Sequence, residues 1–428
     1  MAVTTLRLPS SERHAVGYWR GTVPDRAASE ARHHRLPDGR GRLGVRRRRA
    51  HRRPRPRDGG GRGPGRGHLR VVAEDQFPYA GRVPTPGRRV TLRDIADAAG
   101  VSIMTVSNVV NDNRARVSPE TIDRVRRIAA ELGYVPSASA RSLAARSSRL
   151  IGLLVPAAGE DSLMISPHNV AMVGQIEREL RKGGYHLLLR GITDLGEVTE
   201  ALRSWSLDGA ILLGFLDEEV DRLTADVVGA VRVLAIDSYS ANPLTAGARS
   251  DDFTGARLAA RHLLDLGHRS VVFAGPSFSS VGVVHQRFEG FRQAFADVGV
   301  EWDDRLVATV DATTHAEGLA LGRRLLVDHP ETTAVFATAD ILAIGVVEGL
   351  LSDGASVPDD VSVVGFDNLD LCEYVTPKLT TVAQDIAGKA ITAVRMLLDS
   401  VETGTLATAA VTMGVRLVRR ESTAPVGR

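Results

Sequence analysis

A single cysteine, Cys372, stands among 428 residues. An internal disulfide is therefore excluded, and the usage fits a reducing compartment. No stretch approaches the run of about eighteen apolar residues that a membrane helix needs. The N-terminus also lacks the apolar core of a secretory signal, so a cytoplasmic protein is expected. Aromatic residues make up only 4%, which leaves little support for a binding site built on stacked rings. The phosphate-binding loop, the nucleophile elbow and metal-spaced His or Cys clusters are all missing. His33-His34 lies in a polar, Arg-rich context and reads as solvated. Catalysis, a metal and a cofactor thus have no motif behind them, and an enzyme is the weaker expectation.

What is present is unevenly distributed. Hydrophobic residues at 43% and charged residues at 25% are ordinary for a globular chain, and the length allows two or three domains. The net charge of +3 hides a gradient. Residues 1–88 carry 21 Arg against 7 acids, residues 89–149 carry 10 basic against 6 acidic groups, and residues 150–428 carry 23 against 38. A basic end on an acidic body suits a protein that meets DNA with one part only.

Residues 1–88 contain Arg46-Arg47-Arg48-Arg49, Gly59-Gly60-Gly61 and scattered Pro, without apolar periodicity. They cannot bury enough surface to offset chain entropy, so disorder is expected. Two readings stand side by side. The segment is either a non-specific phosphate-binding arm or the product of a start assigned upstream of a true one near Val83 or Val90, which the intact mass of the native protein distinguishes.

From Val90 the pattern becomes helical. Thr91 is a good N-cap with Asp94 three residues on, and Leu92, Ile95, Ala96 and Ala99 recur on one face. Gly100 stops that helix, and Ser102 caps a second one at about Ile103 to Val110. Two short helices joined this tightly cross steeply, as in a helix-turn-helix. Ser118-Pro119-Glu120 opens a third helix, with Ile122, Val125, Ile128, Ala129 and Leu132 on its buried side. Residues 89–135 therefore form a head, 136–149 a linker, and from Leu150 short apolar strands alternate with amphipathic helices. Strands are expected at Ile151–Val155, Tyr185–Leu189, Gly209–Leu213, Val231–Ile236, Ser270–Ala274, Leu306–Val310, Ala334–Thr338 and Val361–Phe366. Helices are expected at Val173–Lys182, Gly255–Leu266, Arg287–Val298, Thr314–Asp328 and Ile341–Ser352. Such alternation implies an α/β body of doubly wound parallel sheets, and its length divides better into two lobes than one.

The stretch Val90 to Leu143 resembles the DNA-binding head and hinge of the lactose-repressor (LacI/GalR) family of bacterial transcription regulators. Leu266-Gly267-His268-Arg269, Arg287-Phe288-Glu289-Gly290-Phe291, the run Val357 to Asp367 and Leu379-Thr380-Thr381-Val382 follow in the family's order. The resemblance implies a periplasmic-binding-protein-like sensor over 150–425. Its lobes would be 150–248 plus 381–409 and 249–380 plus 410–425, with crossings near 248, 380 and 410. It also implies that the second helix enters the major groove. Thr91, Ser102, Ile103, Met104, Thr105, Ser107 and Asn108 would then contact DNA, apolar side chains meeting thymine methyls. Asn108 departs from the family's usual Arg, so an operator altered at the corresponding base is expected. Ser137 to Ala144 resembles the hinge helix, with Ser137 as its cap and Ala140 at the close approach of two copies. Arg141 and Arg146 would lie on phosphate, and Leu143 would wedge into the minor groove.

By the same resemblance an effector binds between the lobes, at the carboxyl ends of strands. Asp237, Arg287, Asp340 and Asp367 would bond a polyhydroxylated ligand, most simply a sugar, with Phe278 or Trp205 against its face. The family's frequent Asn-Pro-Phe segment appears as Ser166-Pro167-His168, which points to an unusual ligand on that side. No leucine heptads follow Leu417, so a homodimer on a pseudo-palindromic operator is expected, acting most often in this family as a repressor. A solute-binding protein without DNA function, or a non-specific nucleic-acid binder acting through residues 1–88, are the remaining alternatives.

Overall fold

The computed structural model describes residues 89–111, 117–135, 147–157, 163, 165–406 and 410–427. The Arg-rich extension and the hinge residues Ser137, Ala140, Arg141, Leu143 and Arg146 lie outside them.

In the head, α1 (Leu92–Ala99) begins with a reciprocal cap. The Thr91 N–H and hydroxyl both donate to Asp94 Oδ2, at 2.8 and 2.7 Å, satisfying groups that a helix start leaves open. Gly100 closes the helix at φ 64°, a backbone that favours glycine. Ser102 accepts from Thr105 N at 3.0 Å to start α2 (Ile103–Val110). Ser118, followed by Pro119, starts α3 (Pro119–Glu131). Ile95, Val106 and Val125 are fully buried where the three helices meet, with Ala96, Ala99 and Val109 around them.

The body holds two six-stranded sheets. The first contains β1 (Leu150–Pro156), β2 (His186–Ile192), β3 (Gly209–Leu213), β4 (Arg232–Ile236), β5 (Thr245–Ser250) and β11 (Ala410–Met413), in the order β11-β5-β4-β3-β1-β2, all parallel. The second contains β6 (Val271–Pro276), β7 (Val307–Val310), β8 (Ala334–Ala337), β9 (Ser362–Asp367), β10 (Thr380–Gln384) and β12 (Val415–Val418), in the order β12-β10-β9-β8-β6-β7. Within this second sheet, among the described residues, the β10–β12 pair is antiparallel and the others are parallel. Apolar clusters cover both faces of each sheet, as parallel strands require. Helices α4 (Pro167–Lys182), α5 (Leu195–Ser204), α6 (Asp217–Asp221), α7 (Ala225–Val228) and α12 (Ile386–Thr403) belong with the first sheet. Helices α8 (Asp252–Asp265), α9 (Val283–Asp297), α10 (His315–Asp328) and α11 (Asp340–Ser352) belong with the second. Among the described residues no helix is long and apolar enough to cross a membrane.

The crossings correct the expected lobe limits. The chain passes between sheets at Asp251, Asp385 and Gly414, so β10 lies in the second sheet and β11 in the first. The expected limits sent 381–409 to the first lobe and 410–425 to the second. β11 is an edge strand with three exposed residues of four, so its hydrophobic pattern could not reveal which sheet it joins.

The C-terminal segment is held by the Leu266-Gly267-His268-Arg269 turn. His268 Nε2 lies 3.0 Å from the Ala424 carbonyl and Nδ1 lies 2.9 Å from Thr333 Oγ1. A carbonyl only accepts, so Nε2 carries the proton. His262 meets Thr423 Oγ1 at 3.0 Å. Burial, aided by Arg419, pushes the pKa of His262 down to about 4, and burial lowers that of His268. A histidine whose folded pKa lies below its free value near 6.5 stabilises the fold above pH ~6.5, and the contribution is lost as pH falls toward about 4. Thermal melts of the parent should therefore lose more stability between pH 7 and pH 5 than melts of His262→Gln. Parallel curves would contradict this account.

Candidate functional site: an exposed helix and a polar cleft

The second helix of the head has two sides. Val106 and Val109 are buried, whereas Ile103 is 41% and Met104 69% exposed. A large apolar side chain this open at a helix N-terminus has no folding role, and the position suits contact with a base edge. Thr91 and Ser102 are engaged as caps, with Ser102 Oγ 2.9 Å from Thr105 Oγ1. Ser107 Oγ accepts from Asn111 Nδ2 at 3.2 Å, and Asn108 is half-buried.

Between the sheets, strand ends bring charged groups together. Asp237 follows β4 directly and Asp367 ends β9, with φ values of 56° and 129°. L-residues occupy this left-handed region at a cost of about 1–3 kcal/mol each, a strain that concentrates at functional sites. The Lys389 ammonium, 0% exposed in the first turn of α12, donates to Asp237 Oδ1 at 2.5 Å, Gln384 Oε1 at 2.7 Å and Ser250 Oγ at 3.0 Å. Gln384 Nε2 in turn donates to Asp367 Oδ1 at 2.7 Å. His168, at the start of α4, lies between the two acids, with Nε2 3.3 Å from Asp237 and Nδ1 3.6 Å from Asp367. Burial pushes the Asp237 carboxyl up, but Lys389 and His168 outweigh it and hold the group well below the usual carboxylate range.

Arg287 reaches the same region from α9. Its Nε and Nη2 donate to Asp252 Oδ1 at 2.8 and 2.7 Å, Nη1 donates to the Thr338 carbonyl, and its plane lies 3.7 Å over the Phe366 ring. Gly290 makes this possible, because a side chain there would strike the Phe253 backbone. The Tyr239 hydroxyl donates to Asp252 Oδ2 at 3.0 Å. Asp217 accepts from Ser238 Oγ, Tyr239 N and Ser240 N, fixing the loop after β4. Across the mouth, Ser279 Oγ donates to Glu218 at 2.5 Å.

Asp237, Arg287 and Asp367 thus converge, while Asp340 and Phe278 stand elsewhere. Asp340 is 0% exposed and accepts from Thr381 Oγ1 at 2.5 Å, Leu369 N at 2.8 Å and Cys372 Sγ at 3.0 Å. It braces the turn after β9 against β10, instead of facing a ligand as expected from the sequence. Burial and the charge of Asp367 push its pKa up to about 6. Burial and Asp340 also push the Cys372 thiol up. The Phe278 ring packs against Phe288 and Phe273, with centroids at 5.1 and 6.1 Å. Trp205 lies at the end of α5 beneath Arg190, outside the polar cluster. Sequence reasoning missed Lys389, Gln384, Ser250, Asp252, Tyr239 and Asp217, and took His168 only as a departure. Among the described residues, no group of three or more His, Cys, Asp or Glu side chains is arranged to hold a metal ion.

Comparison with known proteins fits both parts. Residues 91–137 match the family of bacterial regulatory proteins, lacI family, and residues 260–423 match the periplasmic binding protein-like domain. The HTH-type transcriptional regulator CelR of Thermobifida fusca is 31% identical over 78% of this chain and 98% of its own. The ribose operon repressor of Halalkalibacterium halodurans is 33% identical over 78% of this chain and 97% of its own. A solved complex of CelR with cellobiose superposes with a TM-score of 0.59 at 27% identity, covering 78% of this chain and 100% of that one. These relatives are transcription regulators and not enzymes. With a helix-turn-helix head, two α/β sheets and a charged cleft at the strand ends, this chain belongs to the lacI family of bacterial regulatory proteins.

Proposed function

We propose that the chain is a homodimeric repressor that binds a pseudo-palindromic operator through two heads and releases or gains it when a small carbohydrate enters the inter-lobe cleft. One juxtaposition carries the reading: the polypeptide that exposes Ile103 and Met104 at a helix start also gathers Asp237 and Asp367 at strand ends beside Arg287 of α9. The first presents apolar atoms to a groove, and the second presents fixed hydrogen-bonding groups to a polar ligand. The names of relatives that handle ribose and cellobiose support a sugar. Effector binding would alter the relation of the lobes and hence of the heads, a coupling of typically ~1–3 kcal/mol. The protein would act in the compartment of the chromosome.

A genomic-fragment selection with the purified full chain tests the reading, run beside Met104→Ala and Leu143→Ala. The parent should recover one palindromic motif. Met104→Ala should lose about tenfold on that motif while keeping non-specific binding, since each good base contact is worth ~1–3 kcal/mol. Leu143→Ala should lose specific far more than non-specific affinity. Enrichment without a shared motif would leave the head without a sequence-reading role.

A further inference from the structure

We propose that Lys389 is a positioning residue that makes the cleft take uncharged, hydroxyl-rich ligands and turn away acidic ones. The proposal rests on reading the cleft as the effector site.

A lysine ammonium has three N–H groups, and here three acceptors take them: Asp237 Oδ1, Gln384 Oε1 and Ser250 Oγ. None is left for an incoming carboxylate or phosphate, and the 0% exposure of the side chain bars direct approach. Arg287 is largely turned inward as well. Its Nε and Nη2 serve Asp252, Nη1 serves the Thr338 carbonyl, and one face is covered by Phe366. Lys389 is therefore directed wholly at the protein's own oxygens, and Arg287 with three of its five N–H groups.

The acids are less fully engaged. Asp367 is bonded through Oδ1 to Gln384, and Asp237 Oδ2 has only the long 3.3 Å approach of His168. His168 Nδ1 is buried with no hydrogen-bond partner, a state that normally marks a place for a ligand or water. Asp237, Asp252 and Asp367 face one another across this space, with Lys389 and Arg287 held against Asp237 and Asp252. The open valences are carboxylate acceptors in a poorly solvated space. Hydroxyl donors meet them well, whereas an anion meets repulsion that water cannot screen. Lys389 sets this condition, because it fixes the Asp237 carboxylate while offering the ligand nothing.

Matched sugars titrated into the full chain at pH 8 and constant ionic strength test the proposal by calorimetry and thermal shift. The pairs are ribose with ribose 5-phosphate, cellobiose with cellobionic acid, and glucose with glucuronate, with glucosamine as a cationic probe. A neutral sugar should bind about tenfold or more tighter than its acidic partner. An acidic partner that binds equally well overturns the proposal and leaves the effector reading standing. If no sugar of any charge binds, both fall together. In Lys389→Met, the glucosamine-to-glucose affinity ratio should rise about tenfold, because Asp237 loses its cation. A merely structural lesion would weaken both sugars alike and would overturn the assignment. Should that variant fail to fold, Asp237→Asn with Lys389→Met removes the buried charge altogether. Discrimination between neutral and acidic partners should then shrink toward one, and its full persistence would refute the role of Lys389.

Discussion

Gly345→Val should lower the stability of the second lobe by about 3 kcal/mol, with Gly345→Ala at about 1–2 kcal/mol. Gly345 and Gly349 on α11 face Gly318 and Gly322 on α10, and the two backbones touch along this seam. A Cβ built on Gly345 falls well inside 3.0 Å of the His315 carbonyl and 2.7 Å from Leu319 N. Both neighbours are backbone, so no side-chain rotation relieves the contact. Two effects oppose each other in the alanine variant. Helix propensity gains about 1 kcal/mol, while overpacking a close contact costs about 1–3 kcal/mol. The backbone nature of the clash decides for the loss. Urea melts of the series Gly, Ala, Val at position 345 should fall monotonically. An alanine variant as stable as the parent would mean that the helices do not meet along the glycines.

Arg287→Met should cost about 3–5 kcal/mol, the usual result of stranding one member of a buried ion pair. Asp252, 1% exposed, would keep the Tyr239 hydroxyl but lose its cation. Burial already raises the Asp252 pKa against the pull of Arg287. Removing the guanidinium raises it further, so the variant takes up a proton on Asp252 as pH falls. Its deficit relative to the parent should therefore be largest above that raised pKa and shrink toward acid. Asp252→Asn placed on Arg287→Met should recover a large part of the loss, as a double-mutant cycle would register. Recovery of nothing would show that the cation, not the stranded carboxylate, carries the energy. On the proposed effector reading, sugar binding should fail in both variants, because the guanidinium stacked on Phe366 is gone.

The head was legible almost to the residue, because its signals are local. Thr91, Gly100, Ser102 and Pro119 act on the nearest turn of backbone, and the helices begin and end where those residues place them. The buried strands were legible for a similar reason, since Gly209–Leu213 is a continuous apolar run and so is Val363–Phe366 within β9. Lys389 was not, although a trace of it was present. Ile386, Ala390, Ala393, Val394 and Leu397 recur with helical spacing, and Lys389 falls inside that stripe. A charge at a core position marks a partner to be found, but the partner, Asp237, is 152 residues away. Asp340 misled for the converse reason. An acid following a strand of a sensor sheet reads as ligand-facing, and only the positions of Thr381, Leu369 and Cys372 reveal that its lone pairs are already taken.

The three passages between the sheets share one side of the molecule. β5 and β11 form one edge of the first sheet, and β10 and β12 one edge of the second, with Asp251, Asp385 and Gly414 between them. Asp251 N also donates to the Met413 carbonyl at 2.9 Å, tying two of the passages together. Each sheet is thus attached like a door along a single jamb, and β2 and β7 are its free margins. Four strand spacings of ~4.8 Å separate β5 from β2, so a swing of ~10° would carry the free margin through ~3 Å. Near the jamb, where Lys389, Gln384 and Asp237 meet, the same swing moves atoms by a fraction of that. Contacts of hydrogen-bond precision there can govern displacements several times larger at the far side, with the protein's own width as the lever.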